Sequence, residues 1–189
     1  MTAIVRNPSK LTRYEHLTVV QGDADDQSTV ELAVQGMDAV VSVMSASASQ
    51  KNAKNKTLTS GIQNIIRAMK KHGVNRLIMT APNSIPLPED KPDIRFKLLN
   101  RIVRFLVPTA YRDTIGSMEA AMSSDLNWTI VRMGRAAYVP PTGRVQSGCL
   151  NKNMGIRITR ADAADFILNE AMAGKFIRQS PAICSLKKI

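Results

Sequence analysis

Short apolar runs rich in β-branched residues alternate with helical segments along most of this chain. That alternation constrains the fold more than any other feature. A strand covered by helices buries both of its faces, so it reads as a continuous apolar run rather than as a polar–apolar alternation. Residues 2–5, 17–20, 39–44, 76–80 and 128–132 are such runs. Arg6-Asn7-Pro8 stops the first, Gln21-Gly22-Asp23 closes the second and Ala81-Pro82 ends the fourth. Helices are expected over 26–35, 57–72, 94–107, 114–124 and 161–172, with a short one capped by Ser9 that takes in Lys10, Leu11 and Tyr14. The clearest is 57–72, where Leu58, Ile62, Ile65, Ile66 and Met69 recur at helical spacing. Gly36 and Gly73 are suited to the position after a helix, and Thr159 to an N-cap. Residues 45–55 are small and polar and 82–92 Pro-rich, so both read as loops. The expectation is an α/β chain forming one domain over 1–189, a doubly wound parallel sheet with helices on both faces.

In such sheets ligands bind outside the carboxyl ends of the strands. Topology alone therefore singles out Arg6, Asp23, Val43 to Ser45, Thr80 to Pro82, and Met133-Gly134. Arg6 directly follows the first run. A planar guanidinium suits a phosphate through two parallel charge-assisted bonds, whereas an acid at a comparable place would receive a ribose hydroxyl. Asp23 can accept from an adenine amino group or cap the following turn, and the residues leave both readings open. Thr80 offers a hydroxyl at a strand end, able to bond a carbonyl or a carboxamide, or simply to end the strand.

Composition narrows the classes. Lys and Arg number 26 against 15 acidic residues, a net charge of +11, and the pI is near 10.1. Such a surface attracts polyanions, including nucleic acid, anionic lipid and phosphorylated small molecules. Aromatic residues make up only 4% and no nucleic-acid motif is present, so nucleic acid is disfavoured as a partner. The helix over 94–107 carries Arg95, Lys97, Arg101 and Arg104 among apolar residues. It reads as a face for an anionic membrane or, more commonly, as a helix that packs its apolar side and solvates the other. The longest apolar stretch, 39–48, is interrupted by Ser and falls short of a membrane span. No secretory leader is seen. Cys149 and Cys184 match no metal or redox spacing, which fits a reducing cytoplasm. His16 and His72 have no metal-like spacing, no metal site is expected, and Asp162 and Asp165 read as structural residues of one helix.

Several segments, in order, resemble the atypical short-chain dehydrogenase/reductases of the NAD(P)H-binding group that includes NmrA-like proteins and the biliverdin reductase B/flavin reductase type. Ala3-Ile4-Val5-Arg6-Asn7-Pro8-Ser9-Lys10-Leu11 resembles that group's second strand with its NADP-selecting Arg. Val19-Val20-Gln21-Gly22-Asp23, followed by Gly36-Met37-Asp38-Ala39-Val40-Val41-Ser42, resembles the region of its third and fourth strands. Gly73-Val74-Asn75-Arg76-Leu77-Ile78-Met79-Thr80 resembles the fifth. Leu126 to Gly134 and Ile158 to Phe166 resemble the distal half. The departures are as informative. The group opens with a strand, a Gly-rich loop and a helix, roughly 30 residues with no counterpart here. The resemblance therefore implies an N-terminally truncated Rossmann-like fold, first βα unit absent, with a gap or a re-pairing where a central strand would lie. Arg132-Met133-Gly134 stands for the usual Arg-Pro-Gly, and none of Tyr14, Tyr111 or Tyr138 has the Lys four residues later that typical members use.

The resemblance implies NADP(H), preferred over NAD(H), as cofactor. It assigns Arg6 to the 2′-phosphate, Asp23 to the adenine, and Ser42, Val43, Met44 and Ser45 to the adenosine side. Thr80, Ala81 and Pro82 would lie near the nicotinamide, with Gly134 closing over it. Tyr111 and Asp113, with Thr80, are the catalytic candidates. The implied function is an NADPH-dependent oxidoreductase acting on a flavin, quinone or similar small acceptor. The alternative is a non-catalytic NADP(H)-sensing regulator of NmrA type, for which a protein partner is expected.

Overall fold

The computed structural model describes residues 1–12, 14–46 and 57–186. Its frame is a five-stranded sheet ordered β3-β4-β5-β9-β7, built from Ala39–Ser42 (β3), Arg76–Pro82 (β4), Asn127–Met133 (β5), Ala182–Ser185 (β9) and Val145–Gly148 (β7). Strands β3, β4, β5 and β9 run parallel. The fully parallel expectation needs one correction: β7 pairs antiparallel with β9, at the edge of the sheet. An edge strand has one partner and no crossover to accommodate, so it can run either way. Two two-stranded parallel units complete the strands: Thr2–Val5 (β1) with Thr18–Gln21 (β2), and Arg135–Ala137 (β6) with Arg157–Thr159 (β8).

Alternate residues of the central strands go to opposite cores, as the strand period of two requires. Leu77 and Met79 of β4, with Trp128 and Ile130 of β5, join one cluster. Ile78 and Val131 join the other. The first core is closed by Gln27–Val34 (α1), Leu58–His72 (α2) and Pro108–Met122 (α4), through Val30, Ile62, Ile65, Met69 and Met118. The second is closed by Arg160–Ala173 (α5), through Ala163 and Ile167. The sheet is thus covered on both faces. A buried ion pair, Arg76 to Glu170 at 2.7 Å, ties β4 to α5.

Local signals explain most element ends. Thr57 and Ser60 form a reciprocal capping box at the start of α2, and Gly73 ends the helix at φ 70°. Thr159 caps α5. At the first turn Asn7 is the cap, not Ser9: Asn7 Oδ1 accepts from the backbone N–H of Ser9, and the element is a 3₁₀ turn over Pro8–Lys10. Helix α4 begins at Pro108, six residues before the expected 114, because proline is well suited to a first helical position. The loop expected over 45–55 lies, from Ser47 on, outside the described residues.

Two further features bear on the site. First, of the gap or re-pairing expected in the sheet, the gap is what forms: β1-β2 does not join the main sheet. A slot of about 520 Å³ separates β1 from β3, lined by Ile4, Val5, Val34, Val40, Val41 and Ile65 among others. Second, Ile94–Leu106 (α3) does not pack an apolar face. Phe96 is its one buried residue, while Ile94, Leu98, Ile102, Phe105 and Leu106 are exposed.

Asp162 shows how the distal half is held. Its buried carboxylate accepts from the backbone N–H of Thr142 and Gly143 and from the hydroxyls of Thr142 and Ser185. Burial alone would raise its pKa, but the Ser185 and Thr142 hydroxyls and these N–H groups hold it far below the ordinary carboxylate value. A depressed folded-state pKa contributes stability that is complete above the unfolded value, near 3.9, and is lost as pH falls toward the folded one. The melting temperature should therefore fall below about pH 4. Asp162→Asn should flatten that fall while lowering the plateau, as read by thermal melts from pH 7 to acid. An unchanged slope would remove Asp162 from the acid response.

Candidate functional site

The carboxyl ends of the parallel strands open onto two cavities that share Val43 and Met44 as a common wall. The first is the slot between β1 and β3, which Arg6, Asp23 and Ser42 also line. The second, about 370 Å³, is lined by Ser45, Thr80, Ala81, Pro82, Tyr111 and Gly134, together with apolar residues of α2, α3 and α4. Of the site residues singled out in the sequence, Asp113 alone lies outside both linings.

At the slot, the Arg6 and Asp23 side chains have no hydrogen-bond partner among the described residues. Asp23 does not cap the next helix; Asp26 does, accepting from the Ser28 N–H and the Thr29 hydroxyl. The Asp23 carboxylate is therefore left to face the slot. Arg6 is exposed at its mouth.

The second cavity is apolar with a few convergent polar groups, the usual make-up of a small-molecule site. Thr80 is buried beside it, and its hydroxyl has no protein partner among the described residues. Tyr111 Oη accepts from Asn100 Nδ2 at 2.8 Å, which leaves its own proton free to donate. Asn83, one residue past β4, is buried with its amide nitrogen unpaired, close against Gly134. Reasoning from sequence did not find Asn83. A polar residue just after a strand end was the available signal.

Asp113 has a different place. Its two carboxylate oxygens receive the N–H of Leu58 and Thr59, at 2.8 and 2.9 Å, and the Thr59 hydroxyl at 2.7 Å. It sits on the positive N-terminus of α2 and fastens that helix to α4. The helix end that faces this region is thus already occupied by an anion.

Behind Ile85 and Met133 of the second cavity's lining lies a buried ion pair. Arg132 of β5 meets Asp90 through Nη1 and Nη2 at 2.5 and 2.9 Å, both side chains being fully buried. Arg132 also donates to the carbonyls of Ser180 and Ile85, and Asp90 accepts from the N–H of Leu87 and Leu150. Burial raises the Asp90 pKa, but Arg132 and the two N–H groups more than reverse it and hold the carboxyl below its ordinary value. The pair anchors the 85–90 loop against β5, directly before Met133 and Gly134. Sequence reasoning took Arg132 only as part of a motif and missed its partner, 42 residues away.

The fit to a dinucleotide can be tested at each end. The free Thr80 hydroxyl suits a carboxamide-bearing ring, and the orphaned Asn83 amide lies buried beside Gly134 of the same lining. The unpaired Arg6 and Asp23 suit a phosphorylated adenosine. For the pyrophosphate between them, no Gly-rich loop at a helix N-terminus stands among the described residues.

A doubly wound sheet with its cavities along the strand carboxyl ends defines the class of Rossmann-like nucleotide-binding proteins. The chain belongs to the NAD(P)H-binding family, whose family model matches residues 1–172. Solved structures agree on the fold. An oxidoreductase, ylbE, from Lactococcus lactis superposes with a TM-score of 0.72 at 20% identity, over 99% of this chain and 80% of its own. ChuY, an anaerobilin reductase from Escherichia coli O157:H7, gives 0.75 at 20% identity, over 100% and 86%. A short-chain dehydrogenase/reductase from Veillonella parvula in complex with NADP gives 0.75 at 18%, over 97% and 82%. A search of curated proteins finds no match. Among the described residues no helix is long and apolar enough to cross a membrane, and no group of His, Cys, Asp or Glu is placed to hold a metal.

Proposed function

We propose that this protein is an NADPH-dependent oxidoreductase of the cytoplasm that reduces a small conjugated acceptor of the flavin or quinone class. One observation carries the reading: the strand-end residues line two adjoining cavities, and the polar side chains at their far ends are unpartnered among the described residues. Arg6 would take the 2′-phosphate and Asp23 the adenine amino group. Ser42, Val43, Met44 and Ser45 would flank the ribose, and Thr80 with Asn83 would orient the carboxamide. The bound cofactor supplies a hydride. Tyr111, held by Asn100, can donate a proton to the acceptor, and the apolar wall of Val103, Val107 and Ile85 suits a planar apolar ring. Asp113, tied to α2, acts in this reading as a positioning residue for Tyr111 two residues earlier on α4.

The alternative, a non-catalytic NADP(H)-sensing protein of NmrA type acting through a protein partner, draws support from the same bonds of Asp113, which leave Tyr111 as the one ionisable side chain among the described residues lining the second cavity. Turnover separates the two. Melting temperature should rise with NADPH and much less with NADH, and NADPH should be oxidised when a flavin or quinone is added. Arg6→Ala should weaken NADPH about ten- to a hundredfold, the worth of one or two charge-assisted bonds, and leave NADH unchanged. A rise with NADPH but no oxidation with any acceptor would favour the sensor. No rise with either nucleotide would sink both.

A further inference from the structure

The described residues leave one side of helix α3 uncovered. Taken at about 100° per residue, Ile94, Phe105, Leu98 and Ile102 fall side by side on one arc, and Leu106 continues it beyond Arg95. All five are exposed, Phe105 at 83% and Ile94 at 76%. The inward side is different: Phe96 is buried beside Leu150 and Met154, Asn100 bonds Ser84 and Tyr111, and Val103 lines the second cavity. The apolar arc therefore points away from the body of the protein.

Lys97, Arg101 and Arg104 lie along the edge of that arc, exposed and with no ion-pair partner among the described residues. The fourth cation, Arg95, is engaged by Asp93 at 2.6 Å and by the Lys152 carbonyl. The helix carries no acidic residue at all. An outward apolar arc bordered by unpaired cations is the form of a helix lying in a lipid–water interface, with its apolar side among the acyl chains and its cations at the headgroups.

We infer that α3 seats this protein on the surface of an anionic lipid bilayer. Charge decides between occupants. A second copy of the chain would bring another net charge of +11 and another row of arginines to the same face, whereas anionic headgroups neutralise it. Val103 of α3 and its C-cap Val107 also line the second cavity, so docking holds that cavity near the membrane. For the proposed reductase, this points to acceptors dissolved in lipid. The docking itself does not depend on that reaction and can be read without nucleotide.

The test is sedimentation of the full chain with vesicles at roughly 0.1 M salt. Vesicles of phosphatidylcholine are compared with vesicles also holding about 30% phosphatidylglycerol. Binding is expected only to the second kind, and should weaken as salt rises. Phe105→Ser with Leu98→Ser should weaken it about tenfold or more without moving the melting temperature, since both side chains are exposed. Arg101→Glu should weaken it at least about fivefold. Lys175→Glu changes the net charge by the same amount away from α3 and should leave binding nearly unchanged. Equal losses in Arg101→Glu and Lys175→Glu would reduce the effect to diffuse charge and overturn the proposal. So would an absence of vesicle binding, or a stable dimer that Phe105→Ser dissociates.

Discussion

Asp90→Ala is expected to cost about 3–5 kcal/mol, a large share of the stability of an ordinary domain. The guanidinium of Arg132 is fully buried, and Asp90 is its one counter-charge within bonding distance among the described residues. Removing the carboxylate leaves a cation out of water with no compensation. It also orphans the N–H groups of Leu87 and Leu150, which donate to the same two oxygens. The unpaired charge is the larger penalty. The double change Asp90→Leu with Arg132→Met, which removes both charges and keeps apolar volume, should therefore recover most of the loss. Urea unfolding of the three proteins reads this directly. If Asp90→Ala lost less than about 1 kcal/mol, the buried pair would not be what holds the 85–90 loop. That loop supplies Ile85 to the second cavity, so a ligand of that cavity should also bind more weakly to the single variant than to the double one.

Gly134→Ala is expected to be nearly as damaging, by about 3 kcal/mol, and to abolish ligand binding in the second cavity. A Cβ at this position would stand 2.1 Å from the carbonyl oxygen of Ile156 and 2.8 Å from its carbon. Both are backbone atoms, and the Arg135 N–H is bonded to that oxygen at 3.1 Å, so neither side can step aside cheaply. The β6-β8 pair would have to part just where β5 delivers Gly134 to the cavity. Gly36→Ala is the useful contrast. Its φ of 73° carries strain but its surroundings are open, so the cost should stay near about 1 kcal/mol with binding intact. Thermal melts and ligand titrations of the two variants make the comparison. Similar small losses in both would mean that β6-β8 is soft and that Gly134 is there for some other reason.

Most residues that line the two cavities were legible in the sequence as strand ends. Arg6, Asp23, Thr80 and Gly134 each follow or end an apolar run; the main sheet places Thr80 and Gly134, and the separate β1-β2 pair places Arg6 and Asp23. Tyr111 was less visible, since the helix that carries it starts at Pro108 in a stretch without apolar periodicity. Asp113 was found as a residue of interest, but its bonds to the N-terminus of α2 join positions 54 and 55 residues apart, and no local pattern encodes them. The strands β6, β8 and β9 have three or four residues each and owe their form to neighbours rather than to their own propensity.

What the sequence by itself determined is therefore the order of the first five strands and the main helices, the caps at Thr57, Gly73 and Thr159, and the strand ends that line the two cavities. These rest on hydrophobic period, on turn residues and on the chain's direction, all of which are local. The tertiary structure alone decided three other things: that the expected break in the sheet stays open as a slot instead of closing by re-pairing, the pairing of Arg132 with Asp90, and the direction in which the apolar side of α3 faces. Each of these depends on which surfaces remain after the core is filled. An amphipathic helix has the same sequence pattern whether its apolar side is turned inward or out. Only the packing of Phe96, Asn100 and Val103 against the body fixed which side α3 leaves to solvent.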